Sequence, residues 1–577
     1  MNRKQFASGR FSACHSRFSS VRAGVVPRAL VAAGMLLAGA PIGLATIGDA
    51  SPGWAQEAAP DAGREQLQRA MTLQLRARSI RDLDETIALC ERALREGLGE
   101  EDAELAHQIA ASCLFQKANG IAAAVVDRAR PDPRWQQLRE IALNDLEKAI
   151  EHVPKLTEAY PLIYKLCLLP AGDRTQGLRA ANKAIELLAE NPPQLAEAYL
   201  ARARFREKPE DQLADLDKAA ELTPDNPQPK QLRAAMLFDQ GKYAEAADAF
   251  RALIQADEEN AAYHLALGEA MANIEGQFDS ALEAIRRGIE LNPKSTQGYL
   301  LRARLHASRE NADAALTDLN QALEADPKDV SALLFRAEIH LFRVDAKAAR
   351  ADVDRALQIR PGLVAGILLR SRVHASEQKY DDAVRDMELL IQNDPKNVDF
   401  RLQTAAYHNA GDRPRKAIKM LTEIVEEDKG NWRALRSRGD ALLSIGKHAE
   451  AIQDFTRALE LKPDESGILN NLAWVLATSP EDQLRDGKRS IELGTKACEL
   501  TEFKEAHILS TLASGYAETG DFETAVRWSS KAVELGEGTV KEQLQKELDS
   551  YKAAKPWREK QDTKEKPDVP RRNLLET

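Results

Sequence analysis

Residues 296–329 read TQGYLLRARLHASRENADAALTDLNQALEADPKD, and residues 330–363 read VSALLFRAEIHLFRVDAKAARADVDRALQIRPGL. The two stretches are one unit written twice. With each numbered from 1 to 34, position 7 is Arg302 and Arg336, position 8 is Ala303 and Ala337, and position 11 is His306 and His340. Position 20 is Ala315 and Ala349, position 23 is Asp318 and Asp352, and position 32 is Pro327 and Pro361. Bulky residues between these marks recur at helical spacing. Proline lacks an amide donor and clashes with the preceding turn, so it ends the second helical run. Each unit therefore predicts helix, turn, helix.

The pattern extends in both directions. Pro293, Pro395 and Pro463 keep the 34-residue step, with Lys429 at the one missing place. Position 20 stays alanine in Ala281, Ala383, Ala417 and Ala451, and position 8 stays small in Gly268, Ser371, Ala405 and Gly439. Gly268 fits a unit that starts at Ala261 and carries one extra residue in its turn. Small residues at both positions let the two helices of a unit pack closely.

A 34-residue helix–turn–helix period of this kind resembles the tetratricopeptide repeat family. The resemblance covers most of residues 63–540. It implies an all-α fold, an α-solenoid in which stacked units form a right-handed superhelix. The expected organisation is a signal peptide or anchor over 1–55, a linker over 56–62 and degenerate repeats over 63–192. A regular array over 193–465 and terminal repeats with an inserted loop over 466–540 follow. A capping helix over 541–554 and a disordered charged tail over 555–577 complete it. The block Asn471-Leu-Ala-Trp-Val-Leu-Ala-Thr-Ser-Pro480, with Arg485-Asp-Gly487 and Lys555-Pro-Trp-Arg558, is similar to one in exported bacterial repeat proteins.

The N-terminus supports export. Arg3, Lys4, Arg10, Arg17, Arg22 and Arg28 precede any acid, an apolar stretch runs from Ala29 to Ile47, and Gly53-Trp-Ala55 offers a small-x-small cleavage site. That order is a secretory signal's. A retained anchor and a transit peptide are the alternatives. The expected location is the periplasm or cell envelope.

Composition narrows the function. The chain has 577 residues, 44% hydrophobic but only 5% aromatic, so its core is built from alanine and leucine. It carries 80 Lys+Arg against 90 Asp+Glu, net −10. No nucleic-acid partner is expected, since a general binder needs a basic surface to displace counterions. A membrane contact is expected only through an uncleaved N-terminal anchor. There is no phosphate loop, no His-Glu-x-x-His and no Gly-x-Ser-x-Gly motif. No cofactor, metal or catalytic residue is expected.

Three columns invite a site reading. His306, His340, His374 and His408 share position 11. One whole unit separates each from the next, at least about 10 Å with ordinary helix packing, too far for one zinc ion. They are expected to fill the slot where the two helices of a unit meet. Arginine stands at position 7 in Arg202, Arg233, Arg302, Arg336, Arg370 and Arg438. Five of these units also carry aspartate at position 23, namely Asp215, Asp318, Asp352, Asp386 and Asp454. Units without the arginine lack the aspartate, as with Leu267 and Ala284. Matched presence and absence predicts an ion pair between the two helices, with Arg233 the exception.

The third column follows from the resemblance, which implies docking on first-helix positions 2, 5, 9 and 12 of a concave face. Position 9 carries Arg304, Glu338, Arg372, Asp440 and Trp474. With Asn470 and Asn471 these are the candidate protein-binding residues. The repeated Lys/Asn pattern with which family members clamp a C-terminal carboxylate is missing. Trp474 has an alternative place, packed at the inserted loop. The expected function is a non-catalytic scaffold for a protein or peptide partner. The alternative is an enzyme, or its obligate accessory subunit, with its site in 63–192. Cys90 and Cys113 lie in neighbouring expected helices, either bonded or as buried thiols.

Overall fold

The computed structural model describes residues 62–126 and 134–559. The expected signal or anchor, the linker up to residue 61 and the last 18 residues of the tail lie outside the described residues. The fold is an all-α solenoid. Among the described residues it has 27 α-helices and no strand. None of the described helices is long and apolar enough to cross a membrane.

The described chain forms two compact units, one up to Pro293 and one from Lys294. In the first, helices pair as Ala62–Gln74 with Ile80–Glu96, Glu100–Val126 with Trp135–His152, and Ala159–Cys167 with Arg174–Leu187. Three further pairs run from Pro192 to Leu291. In the second, five pairs run from Thr296 to Leu461, beginning with Thr296–Ser308 and Ala312–Ala325. Ser466–Thr478 with Gly487–Leu500 and Ala506–Glu518 with Phe522–Leu535 follow. Gly538–Lys552 covers the end. Within each unit every helix packs on its chain neighbours.

The ends of the helices follow from the sequence. Asn311, Asp329, Asp345, Asn397 and Asn431 each accept a hydrogen bond from the amide three residues on, at 3.0–3.1 Å. These caps satisfy donors that the first turn leaves free. The second helices stop two residues before their prolines, at Ala325, Ile359, Asn393 and Leu461. A residue before proline is pushed out of the helical region. Accordingly Asp326, Arg360, Asp394 and Lys462 have φ of −135° to −140° with ψ of 79° to 97°. Asp428 has the same conformation without a following proline.

The small positions carry the packing. Ala281, Ala315, Ala349, Ala383, Ala417 and Ala451 are all fully buried. A methyl group added at Gly439 would lie 2.6 Å from the Phe455 ring, and one at Gly268 would lie 2.5 Å from Ile285.

The turn between the helices has its own signature. Position 15 is left-handed in Gly241, Gly446 and Gly520, and equally in Glu310, Val344, Gln378 and Asp412, with φ from 57° to 63° in the last four.

The tail departs from expectation. Lys555–Glu559 is not loose but lies on the terminal repeats. The Glu559 amide donates to Thr478 O at 3.0 Å. Arg558 reaches Glu518 at 2.6 Å. Trp557 packs beside Ala513, Ala517 and Tyr551. Tryptophan and two charges with waiting partners outweigh the local charge content that pointed to disorder.

Candidate functional site

The position-7 arginines are used internally. Arg202–Asp215, Arg302–Asp318, Arg336–Asp352, Arg370–Asp386 and Arg438–Asp454 are all two-point contacts. Nε and Nη2 of each arginine lie 2.5–3.0 Å from the paired carboxylate oxygens. The planar fork fits the carboxylate. The five aspartates are buried, and the hydrogen-bonded aspartate holds Arg336, Arg370 and Arg438 more firmly protonated.

Sequence reasoning missed a third arm. Nη1 of Arg336 donates to Asn320 at 2.7 Å, and Nη1 of Arg438 donates to Thr422 at 3.2 Å. Both acceptors stand at position 25 of the preceding repeat, so the arginine also ties one repeat to the next. Arg202 does the same through Asn182 at 3.1 Å. Arg233, which lacks its own aspartate, pairs with Asp217 of the preceding repeat at 2.7 Å. The polar residue at position 25 was the available signal.

The histidines sit beside these pairs. His306 and His374 lie 3.8 Å from Asp318 and Asp386. Arg350 donates to His374 Nδ1 at 3.0 Å. Burial, then the Arg350 charge, pushes His374 below the usual histidine range. Among the described residues no three His, Cys, Asp or Glu side chains converge as a metal site.

With the arginines committed, the first-helix face is what each repeat leaves available. From Lys294 onward, position 9 presents Arg304 and Arg372 exposed, with Glu338 half-buried between them. Burial pushes the Glu338 carboxyl up, and Arg372 opposes this. Leu300, Leu334 and Leu368 at position 5 are half-buried.

The other candidates form a polar cluster further along. Asn470 and Asn471 are 3% and 2% exposed. Asn470 Nδ2 donates to Asn471 Oδ1 at 3.1 Å, and Asn471 Nδ2 donates to Asp440 Oδ1 at 2.7 Å. Asn470 Oδ1 is buried without a hydrogen-bond partner. Burial pushes the Asp440 carboxyl up to about 6 against the opposing pull of Arg436. The half-buried Trp474 donates its indole N–H at 2.6 Å to Glu559 of the C-terminal segment, not to the inserted loop. Two carboxylates here had no periodic signal. Glu559 is one; Glu547, on Gly538–Lys552, is the other. Glu547 is 3% exposed and accepts from Ser510 and, at 3.0 Å, from Gln543. Burial pushes the Glu547 carboxyl up.

In 63–192 the titratable groups answer one another. Lys117 bridges Asp84 at 2.8 Å and Asp145 at 3.2 Å. His107 and His152 share a 2.8 Å hydrogen bond between their Nδ1 atoms. Cys90 and Cys113 are free, buried thiols, pushed up by burial to about 12 and about 11.

Comparison with known proteins agrees with this architecture. Tetratricopeptide repeat family models match residues 237–305, 300–364 and 406–466. A tetratricopeptide repeat and J domain-containing co-chaperone, DNJ1 of Fusarium oxysporum f. sp. lycopersici, is 26% identical over 133 residues. That match covers 23% of this chain and 26% of the co-chaperone. Among solved structures, yeast Tom70 aligns at 16% identity over 77% of this chain and 96% of its own, with a TM-score of 0.38. A tetratricopeptide repeat protein from Parabacteroides merdae aligns at 19% over 43% of this chain and 98% of its own, with a TM-score of 0.35. The 34-residue period, the small positions buried between paired helices and the matched models agree: residues 237–364 and 406–466 of this chain carry tetratricopeptide repeats.

Proposed function

We propose that the chain is a non-catalytic scaffold that binds a protein or peptide partner along the first-helix face of residues 296–559. One observation carries this reading. Arg304, Glu338 and Arg372 follow one another at the same position of successive first helices, over half-buried leucines. Arg302, Arg336, Arg370 and Arg438 at position 7, by contrast, are bound to aspartates within their own repeats. A row of mixed charge over an apolar floor suits an extended segment, because repeat arrays offer long contact surfaces. The mutual pairing of Lys117 with two aspartates and of His107 with His152 favours a structural role for 63–192 over a catalytic one.

An exported, bacterial envelope setting belongs to the same reading. It rests on the basic start, the apolar stretch and the cleavage-like Gly53-Trp-Ala55. The test is affinity capture from the native envelope fraction with wild type and with Arg304→Glu/Arg372→Glu. The expected outcome is a specific partner held by wild type and lost by the charge reversal. Equal recovery by both removes this face from the reading. An N-terminus upstream of Ala29 on the same sample removes the cleaved signal.

A further inference from the structure

The first turn of the array has a surface of its own. Met71, Leu75 and Ile80 are 41%, 88% and 54% exposed. Nowhere else among the described residues do three large exposed apolar side chains fall within ten positions. Met71 lies in the last turn of helix Ala62–Gln74, Leu75 just past its end, and Ile80 at the start of helix Ile80–Glu96. The Leu75 amide donates to Met71 O at 3.3 Å and the Arg76 amide to Leu73 O at 3.0 Å, so the turn is tied to the helix before it.

Arg76, Arg78 and Arg81 alternate with these apolar residues and are exposed. None of the three makes an ion pair with another described residue. The acids that follow them are engaged elsewhere. Asp82 Oδ2 accepts from the amides of Arg78 and Ser79, both at 2.9 Å, which closes the start of the second helix. Asp84 holds Lys117 at 2.8 Å. Glu85, one turn beyond Arg81, is the exposed acid that remains, so positive charge dominates the turn.

Aliphatic side chains standing out in solvent among unpaired guanidinium groups fit an anionic lipid surface. The apolar tips enter the boundary of the acyl chains, and the planar arginines meet headgroup phosphates. A single arginine at such a leaflet strengthens binding about fivefold. A side chain as exposed as Leu75 has no groove beside it to receive a partner's side chain, whereas a fluid leaflet needs none. In sequence, this repeat is also the one that follows the apolar stretch Ala29–Ile47. We propose that Met71, Leu75 and Ile80, with Arg76, Arg78 and Arg81, dock the first repeat on a bilayer containing anionic phospholipid. This stands apart from the scaffold reading of 296–559. To the anchor expected from the sequence it adds a contact made by the folded chain itself.

The test uses the full chain with Cys14→Ser and Leu75→Cys, labelled at residue 75 with an apolar, environment-sensitive dye that stands in for the leucine tip. Cys90, Cys113, Cys167 and Cys498 are buried. Vesicles of phosphatidylcholine alone, and of an equal mixture with phosphatidylglycerol, are titrated in. The expected outcome is a blue shift of the dye, and its quenching by brominated acyl chains, with the mixed vesicles only. Arg76→Glu/Arg78→Glu/Arg81→Glu should abolish both signals, even where sedimentation shows the chain still held on the vesicles through its N-terminal stretch. These substitutions are at exposed positions, and an unchanged helical circular dichroism spectrum checks the fold. An unshifted dye, an equal shift with both vesicles, or a shift that survives the charge reversal overturns the proposal. A dye already shifted without vesicles overturns it too, since another protein surface then covers the turn. A response to polyglutamate but not to vesicles overturns it in favour of an acidic protein.

Discussion

Arg336 and Asp352 meet edge to edge, with Nε 2.8 Å from Oδ2 and Nη2 2.6 Å from Oδ1, across the two helices of one repeat. Asp352 is 5% exposed, so its charge depends on this arginine. The repeat at 261–295 holds Leu267 and Ala284 at the same two places and folds the same way.

That comparison yields the first prediction. Removing one partner strands a buried charge, which in a fully buried pair costs about 3–5 kcal/mol. The Arg336 side chain is 20% exposed, so water recovers part of this. Asp352→Ala and Arg336→Leu should each cost about 2 kcal/mol. The double variant Arg336→Leu/Asp352→Ala should cost less than either single one. A double-mutant cycle read by urea denaturation checks this, and simple additivity would contradict it.

A second prediction concerns Val344, a β-branched residue at φ 61° and 78% exposed. A left-handed backbone costs an L-residue about 1–2 kcal/mol. Glycine avoids that cost but adds entropy to the unfolded chain, offsetting about 0.4–1 kcal/mol. Val344→Gly should stabilise by about 1 kcal/mol. Slower hydrogen exchange in helices Val330–Phe342 and Ala346–Ile359 is the readout.

Gly439 makes the opposite case. Alanine is the better helix former by about 1 kcal/mol. Its methyl would stand 2.6 Å from the ring of Phe455, which is fully buried and cannot move aside freely. Overpacking costs about 1–3 kcal/mol, so the clash should win. Gly439→Ala should lower the urea midpoint. Gly439→Ala/Phe455→Leu should recover part of it.

Asp440 gives a pH dependence. Its folded carboxyl titrates at about 6, above its ordinary 3.8. Between those values the folded state holds the proton more tightly than the unfolded chain. Its contribution to stability is therefore present at low pH and lost as pH rises through about 6. The groups facing it are Arg436 on its own helix, and Glu465 and Asn471. Because Asp440 is half-buried, a gain of about 1 kcal/mol is expected for Asp440→Asn at pH 7.5. The gain should shrink toward pH 4. A pH series of thermal melts checks this; a constant difference across the series would remove the Asp440 assignment.

Much of the fold was legible because one unit is repeated with its marks in place. Proline at position 32 fixes where second helices stop, and alanine at position 20 fixes which faces meet. The ion pairs were legible for a different reason: arginine and aspartate appear and vanish together. The turn was not. Glu310, Val344, Gln378 and Asp412 adopt the left-handed turn conformation without glycine, because the flanking helices impose it against local preference. The terminal cluster was half legible. Asn470, Asn471, Trp474 and Asp440 stood out or fell in the position-9 column. Glu547 and Glu559 lie outside the period, and only the folded chain brings them there.

The separation along the chain of the contacts described has a kinetic meaning. Arg302–Asp318, Arg336–Asp352, Arg370–Asp386 and Arg438–Asp454 each join residues 16 apart. Such links close small loops, and chains rich in local contacts fold fast. Trp474 and Glu559 are 85 residues apart. Closing that span costs more entropy, and it requires the helices between them to stand first. The segment Lys555–Glu559 should thus assemble as a latch: late to fasten during refolding, and early to let go when the repeats beneath it begin to melt.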